Sequence, residues 1–229
     1  MNNKRTAVVV LSGGQDSVTC LGLALRAFDK VTAICFDYGQ RHKIELECAK
    51  RVCEKHDVPF TLVKMPFMAS LVTSALTGEG DVSAEHAHKP GLPASFVPNR
   101  NALFLTLAHA HAQEVGATAI YTGVCQTDYS GYPDCRASFI ELLENALNIG
   151  YETDIEIITP LMNATKAETF ELAADVGFLD EVINDSHTCY NGVRKEHDWG
   201  HGCGECPACK LRQKGWEEYQ KALTEEVGF

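Results

Sequence analysis

Six residues near the N-terminus, Ser12-Gly13-Gly14-Gln15-Asp16-Ser17, set two hydroxyls, two glycines and a carboxylate between the apolar run Ala7 to Leu11 and a leucine- and alanine-spaced segment from Ser17 to Ala27. The run has the pattern of a buried strand and the segment that of a helix, so the loop from Leu11 to Ser17 joins a strand to a helix start. Such a junction takes anions. Unpaired N–H groups and the positive end of the helix dipole face it, Gly13 and Gly14 permit close backbone approach, and Ser12 and Ser17 add donors. A Walker loop would carry a lysine here; this chain carries Asp16, and an acid in a phosphate site implies Mg²⁺ arriving with a nucleotide. Asp16 capping the helix beside glycines that merely turn the chain is the plainer alternative. Capping alone does not require two serines and two glycines together.

A second concentration of chemistry lies near the C-terminus, where Cys203, Cys206 and Cys209 form C-x-x-C-x-x-C. Gly202 and Gly204 give the backbone freedom to wrap thiolates around one ion, and Cys189 is a plausible fourth ligand, with His187, His197 and His201 competing for that place. Four sulfurs would make a closed, structural zinc site, although C-x-x-C-x-x-C alone is also compatible with an iron–sulfur cluster. The other six of the ten cysteines are scattered along apolar segments or loops and behave as small hydrophobes with no assigned role.

The elements that must position these groups alternate. Strand patterns at Val31 to Phe36, Phe60 to Met65, Ala117 to Gly123 and Ile155 to Ile158 are separated by helical patterns at Ile44 to His56, Asn101 to Val115 and Ala137 to Leu147. A helix from Lys166 to Val176, opened by a capping box from Thr165 to Glu168, follows the last strand. Alternation of this kind predicts an α/β fold, a parallel sheet covered by helices on both faces, with ligands beyond the carboxyl ends of the strands. The expected division is an α/β unit over residues 1–180 and a small cysteine-bearing appendage over 181–229. Residues 66–98, rich in Gly, Pro, Ser and His, break the rhythm and suit a mobile lid beside the cleft.

Composition narrows the partners. The 229-residue chain is 45% hydrophobic and can bury one substantial core, while 20 basic against 31 acidic residues give a formal net charge of −11. That charge disfavours a surface built to wrap nucleic acid and favours a small-molecule substrate. The start Met1 to Thr6 lacks the pattern of a signal peptide, and the apolar stretch Ala102 to Ala112 is too short to cross a bilayer, so a cytoplasmic protein with reduced thiols and no membrane role is expected.

The loop Ser12 to Ser17 resembles the pyrophosphate-binding loop of the N-type ATP pyrophosphatases, which cleave ATP between the α and β phosphates. Taken with "FDYGQRH", "VPNRN", "TDYSGYPDCR" and "CGECPACKLR" in this order, it makes the chain similar to the 7-cyano-7-deazaguanine synthases of the queuosine pathway. That resemblance implies a carbon–nitrogen ligase that converts 7-carboxy-7-deazaguanine, ammonia and ATP into the nitrile by adenylation, as a homodimer with one structural zinc per chain. It implies that Leu11 to Ser17 bind the nucleotide and that Lys166 is the cation facing the phosphates. The candidate catalytic set is Asp16, Ser17, Lys166, Arg100, Asp128 and Asp134. Arg100 could neutralise a phosphate or grip a carboxylate. Asp128 or Asp134 could accept the N–H edge of the base while Tyr129 or Tyr132 stacks on it. The plainer alternatives are a solvated helix lysine at 166, an ordinary ion pair at Arg100 and a plain turn at Tyr132–Asp134. Two rivals share part of the pattern: a sulfur-inserting relative acting on tRNA, which the acidic charge disfavours, and a nucleotide-binding regulator that does not consume ATP.

Overall fold

The computed structural model describes residues 5–72, 74–78, 80–82, 84–127 and 131–227. Five strands, β1 (Thr6–Val10), β2 (Lys30–Asp37), β3 (Phe60–Lys64), β4 (Ala119–Tyr121) and β5 (Glu156–Ile158), form one sheet in the order β3-β2-β1-β4-β5. All four pairings are parallel, with Thr6 opposite Lys30 and Ala7 opposite Ala119. β1 is central because its side chains are apolar on both faces. Ala7, Val9 and Leu11 enter one core with α1 (Gln15–Ala27), α2 (Ile44–Lys55) and α6 (Lys166–Asp175), and Val8 enters the other with α4 (Arg100–Glu114) and α5 (Ala137–Tyr151). Since β1 is flanked by β2 on one side and β4 on the other, the crossovers diverge there, and the loop after β1 opens into the crevice between them.

The capping box forms as its residues require: the Glu168 N–H donates to Thr165 Oγ1 at 3.2 Å and the Thr165 N–H to Glu168 Oε2 at 2.6 Å. Two boundaries differ from the sequence pattern for local reasons. The strand expected at Ala117 starts at Ala119, because the Ala117 N–H closes the end of α4 on Ala112 O at 2.7 Å. The helix expected to end at Leu147 runs to Tyr151, where left-handed Glu152 (φ 54°) turns its N–H back to Asn148 O. Among its described residues the irregular stretch 66–98 contains one helical turn, α3 (Met68–Leu71), and a bridge between Glu85 and Pro93. Arg41 Nε and Nη2 donate to Gly78 O at 3.1 and 2.6 Å, which ties this stretch to the loop after β2.

Beyond residue 180 the chain forms a π-helical turn (Glu181–Asp185), an antiparallel hairpin of β6 (Lys195–His197) and β7 (Gly200–Gly202), and the long helix α7 (Pro207–Val227). α7 packs on α6, with Trp216 at 5.1 Å and Tyr219 at 6.1 Å from fully buried Phe170, and Tyr219 belongs to the same core as Leu21 and Ala173. Burying aromatic rings of this size is worth about 1.5–3 kcal/mol each.

Candidate active site

Ser17 organises the loop after β1. Its Oγ accepts the N–H groups of Ser12 at 3.2 Å and Gly13 at 3.1 Å and donates to Gly14 O at 3.0 Å, with Ser12 Oγ 3.1 Å away. Gly13 sits at φ 89°, and a Cβ there would run into the Glu45 carbonyl of α2, so both backbone shape and space demand glycine. Gln15 is 1% exposed, and neither atom of its side-chain amide has a partner among the described residues.

At the loop's edge Lys166 Nζ lies 2.9 and 2.7 Å from the two carboxylate oxygens of Asp16. The first residue of α6 thus reaches the first turn of α1, and each charge is neutralised by the other. An arriving phosphate anion and its counter-cation would compete for this pair on equal terms, the anion for Lys166 and the cation for Asp16.

The loop forms one wall of a cavity of about 270 Å³, which Tyr38, Glu45, Arg100 and Thr188 also line. Arg100 Nη1 donates to Tyr38 Oη at 3.3 Å, holding the guanidinium 5.8 Å from the tyrosine ring. Ala75 and Leu76, from the irregular stretch, complete part of the rim. Of the candidate residues, then, Asp16, Ser17, Lys166 and Arg100 are brought together. Asp134 lies beside them without lining the cavity: it is 5% exposed, it is close enough to Arg100 to act on its charge, and its Oδ2 accepts the Asn101 N–H at 3.1 Å at the start of α4. Tyr132 lines the cavity, but its hydroxyl is 2.7 Å from Ser95 Oγ and its ring packs on Phe96. Asp128 and Tyr129 lie outside the described residues.

Three residues at this site escaped the sequence reading. Glu45, in the first turn of α2, is pushed up to about 7 by burial, with Arg100 opposing the shift. Thr188 lines the cavity beside the loop, and Arg212 of α7 stands buried behind it. Their signals are weak: a glutamate in a first helical turn and an arginine after a cysteine knot both have ordinary solvated readings.

The four cysteines meet. The Sγ atoms of Cys189, Cys203, Cys206 and Cys209 all lie within 4.8 Å of one another and could hold a metal ion. Tetrahedral thiolates about 2.3 Å from a zinc ion stand roughly 3.8 Å apart, and the Cys203 and Cys209 sulfurs are separated by 3.8 Å. The Cys206 N–H donates to Cys203 Sγ at 3.2 Å and the Cys209 N–H to Cys206 Sγ at 3.5 Å, as suits sulfurs that carry negative charge. The competing histidines are turned elsewhere. His197 stacks on Trp199, His201 Nδ1 is 3.3 Å from Arg194 Nη2, and His187 is fully buried, lowered to about 4 by that burial and therefore neutral.

Comparison with known proteins agrees over nearly the whole chain. Residues 6–220 match the family model described as queuosine biosynthesis protein QueC. The chain is 53% identical over 220 residues to a 7-cyano-7-deazaguanine synthase of Wolinella succinogenes, covering 95% of this chain and 94% of the relative. It is 49% identical to one of Helicobacter pylori strain P12, over 94% of this chain and 96% of the relative. A Clostridium botulinum relative of the same name is 47% identical, over 96% and 98%.

Proposed function

The chain belongs to the queuosine biosynthesis protein QueC family, and from that membership we propose that it converts 7-carboxy-7-deazaguanine, ammonia and ATP into 7-cyano-7-deazaguanine. The observation that carries the reading is the Lys166–Asp16 pair closed over the serine–glycine loop at the switch point of the sheet.

Ammonia does not displace hydroxide from a carboxylate. The oxygen must first be made part of a good leaving group, which adenylation supplies once pyrophosphate has departed. The Gly14 N–H, held only by a 3.3 Å contact to Ser12 Oγ, the Ser12 hydroxyl and Lys166 are the donors for the departing pyrophosphate, while the Gly13 and Gln15 N–H groups are spent on Ser17 Oγ and Thr188 Oγ1 and hold the loop in shape. Mg²⁺ bound with ATP would be held by Asp16 and would offset charge on the phosphate oxygens. Arg100, anchored on Tyr38, grips the substrate carboxylate or the α-phosphate from the opposite wall, and Asp134 fixes the start of the helix that presents it.

Ammonia attack on the acyl adenylate releases AMP and leaves the primary amide. The amide oxygen then attacks a second ATP, and loss of AMP with a proton gives the nitrile. Each oxygen leaves as part of AMP, because water is too poor a leaving group for either to go unassisted. The same loop serves both steps.

Residues 1–180 carry the loop, Lys166 and Arg100, and residues 181–229 complete the cavity and brace it through the cysteine knot, which holds one structural zinc per chain: four thiolates leave no open position for a bound water. A second copy of the chain is the expected macromolecular partner. Leu142 and Ile149, 71% and 79% exposed and two turns apart on one face of α5, give an apolar stripe suited to a symmetric interface. No helix among the described residues is long and apolar enough to cross a membrane, and the cytoplasm, where thiols stay reduced, is the proposed location.

The test supplies ATP, 7-carboxy-7-deazaguanine and ammonium and follows phosphorus spectra and product mass. AMP, pyrophosphate and the nitrile are expected; ADP and orthophosphate as primary products refute the assignment. Synthetic 7-amido-7-deazaguanine with ATP and no ammonium should yield the nitrile with wild type and nothing with Asp16→Ala.

A further inference from the structure

Residues 187–189 engage three partners in succession. The His187 N–H donates to Gly13 O at 2.9 Å, Thr188 Oγ1 accepts the Gln15 N–H at 3.4 Å, and Cys189 lends its sulfur to the thiol cluster. Behind Thr188 stands Arg212, 1% exposed. Its Nη1 donates to Thr188 Oγ1 at 3.0 Å and to Ser186 Oγ at 2.9 Å, its Nε to Trp199 O at 2.8 Å, and its Nη2 to Val182 O.

All four acceptors are neutral, so among the described residues this buried guanidinium has no carboxylate on its donors. A rigid planar fork meeting acceptors from the 182–188 segment and from the hairpin fixes their relative positions. The consequence falls on Thr188. A hydroxyl has two lone pairs and one proton. Arg212 and the Gln15 N–H take the lone pairs, and among the described residues no acceptor takes the proton, while the side chain lines the cavity beside the phosphate-binding loop.

We infer that Thr188 is an additional donor to the pyrophosphate end of ATP and that Arg212 is the positioning residue that aims it. This rests on the reading that the loop binds ATP. It extends the loop's donors to a residue that stands 171 positions beyond Ser17 in the sequence and next to a cysteine of the knot. The knot thereby has a mechanical connection to the reaction: Cys189 anchors the backbone that carries Thr188.

The experiment measures binding of inorganic pyrophosphate, ATP and AMP, each with Mg²⁺, to wild type, Thr188→Val, Thr188→Ser, Arg212→Lys and the Thr188→Val/Arg212→Lys double variant, with metal content recorded for each. Loss of one hydrogen bond to a charged group predicts pyrophosphate and ATP binding about tenfold weaker in Thr188→Val, with AMP binding unchanged. Thr188→Ser restores binding to within about twofold of wild type, since it keeps the hydroxyl. Arg212→Lys weakens pyrophosphate binding alone and adds nothing in the Thr188→Val background, because its effect passes through that hydroxyl. Wild-type pyrophosphate affinity in Thr188→Val overturns the inference. So does a Thr188→Ser variant as weak as Thr188→Val, a loss shared equally by AMP, or full additivity in the double variant. If Arg212→Lys does not fold, the Thr188 pair alone decides. Wild type that binds neither ATP nor pyrophosphate overturns the reading of the loop itself, a different failure from a wild type that binds both while Thr188→Val matches it.

Discussion

Glu45 places an acid that titrates at about 7 in the folded chain, against an ordinary 4.5, on the wall of the cavity. Its value is raised by burial, so the folded chain holds a proton that the unfolded chain has already lost between these two values. The contribution to stability is fully present below 4.5 and is lost as pH rises through 7, after which the penalty is constant. Glu45→Gln keeps the shape and removes the titration. Working between pH 5.5 and 8.5 keeps the thiolates able to bind metal, and the 1.5 pH units from 5.5 to 7 correspond to about 2 kcal/mol at 1.36 kcal/mol per unit. Water in the cavity reaches part of the side chain and trims this to about 1–2 kcal/mol. Urea unfolding of both proteins should show the variant gaining that much on wild type as pH rises from 5.5 to 8.5, with the gain complete near pH 7.5. Titrating groups that Glu45 does not act on cancel in the difference. A difference that stays flat, or one that moves against the variant at high pH, means that Glu45 is ionised at ordinary values and that burial does not govern it.

Gly13→Ala should abolish AMP formation with the fold retained by circular dichroism, since the added methyl meets the Glu45 carbonyl in a left-handed backbone position; measurable turnover would show that the loop can shift. Lys166→Met should lower kcat by at least about a hundredfold, because a donor to the departing pyrophosphate is worth roughly 3 kcal/mol, and steady-state kinetics at saturating ATP reads it directly. Stripping the metal with a chelator, or Cys206→Ser, should lower the melting temperature and release one zinc per chain, while a brown protein with acid-labile sulfide would replace zinc by an iron–sulfur cluster.

The parallel sheet was legible in the chain's periodicity, because strand and helix patterns alternate and β1 is apolar from Ala7 to Val10, as suits a strand that buries both faces. The loop and the cysteine knot were legible for a different reason: their spacing has few structural uses. The parts that escaped depend on distance in sequence. Asp134 sits in a polar, tyrosine-rich stretch that suits ligand contact, yet its partner is the Asn101 N–H, a helix cap made 33 residues away. Arg212 looks like any arginine on an amphipathic helix until the hairpin and the 182–188 segment close around it. Sequence patterns report which faces are apolar; they do not report which polar groups the folded chain will bury together.

The arrangement also suits the proposed mechanism, in which a single loop serves two activations that differ in substrate. Ser17 spends its hydroxyl on Ser12, Gly13 and Gly14, so the loop keeps its shape without a ligand, and little reorganisation remains to be supplied when phosphate arrives. What changes between the two proposed steps is the nucleophile, a carboxylate oxygen first and an amide oxygen second, and each must meet the α-phosphate of an ATP held in the same place. Recognition of the phosphates is therefore best fixed in the backbone of the sheet's switch point, while the part of the cavity that accepts a charged group and then a neutral one is left to side chains. Arg100 suits that second role. Its charge is held in place by Tyr38 and has no carboxylate hydrogen-bonded to it among the described residues, so it can bind the acid as an ion pair and the amide as a hydrogen-bond acceptor without moving.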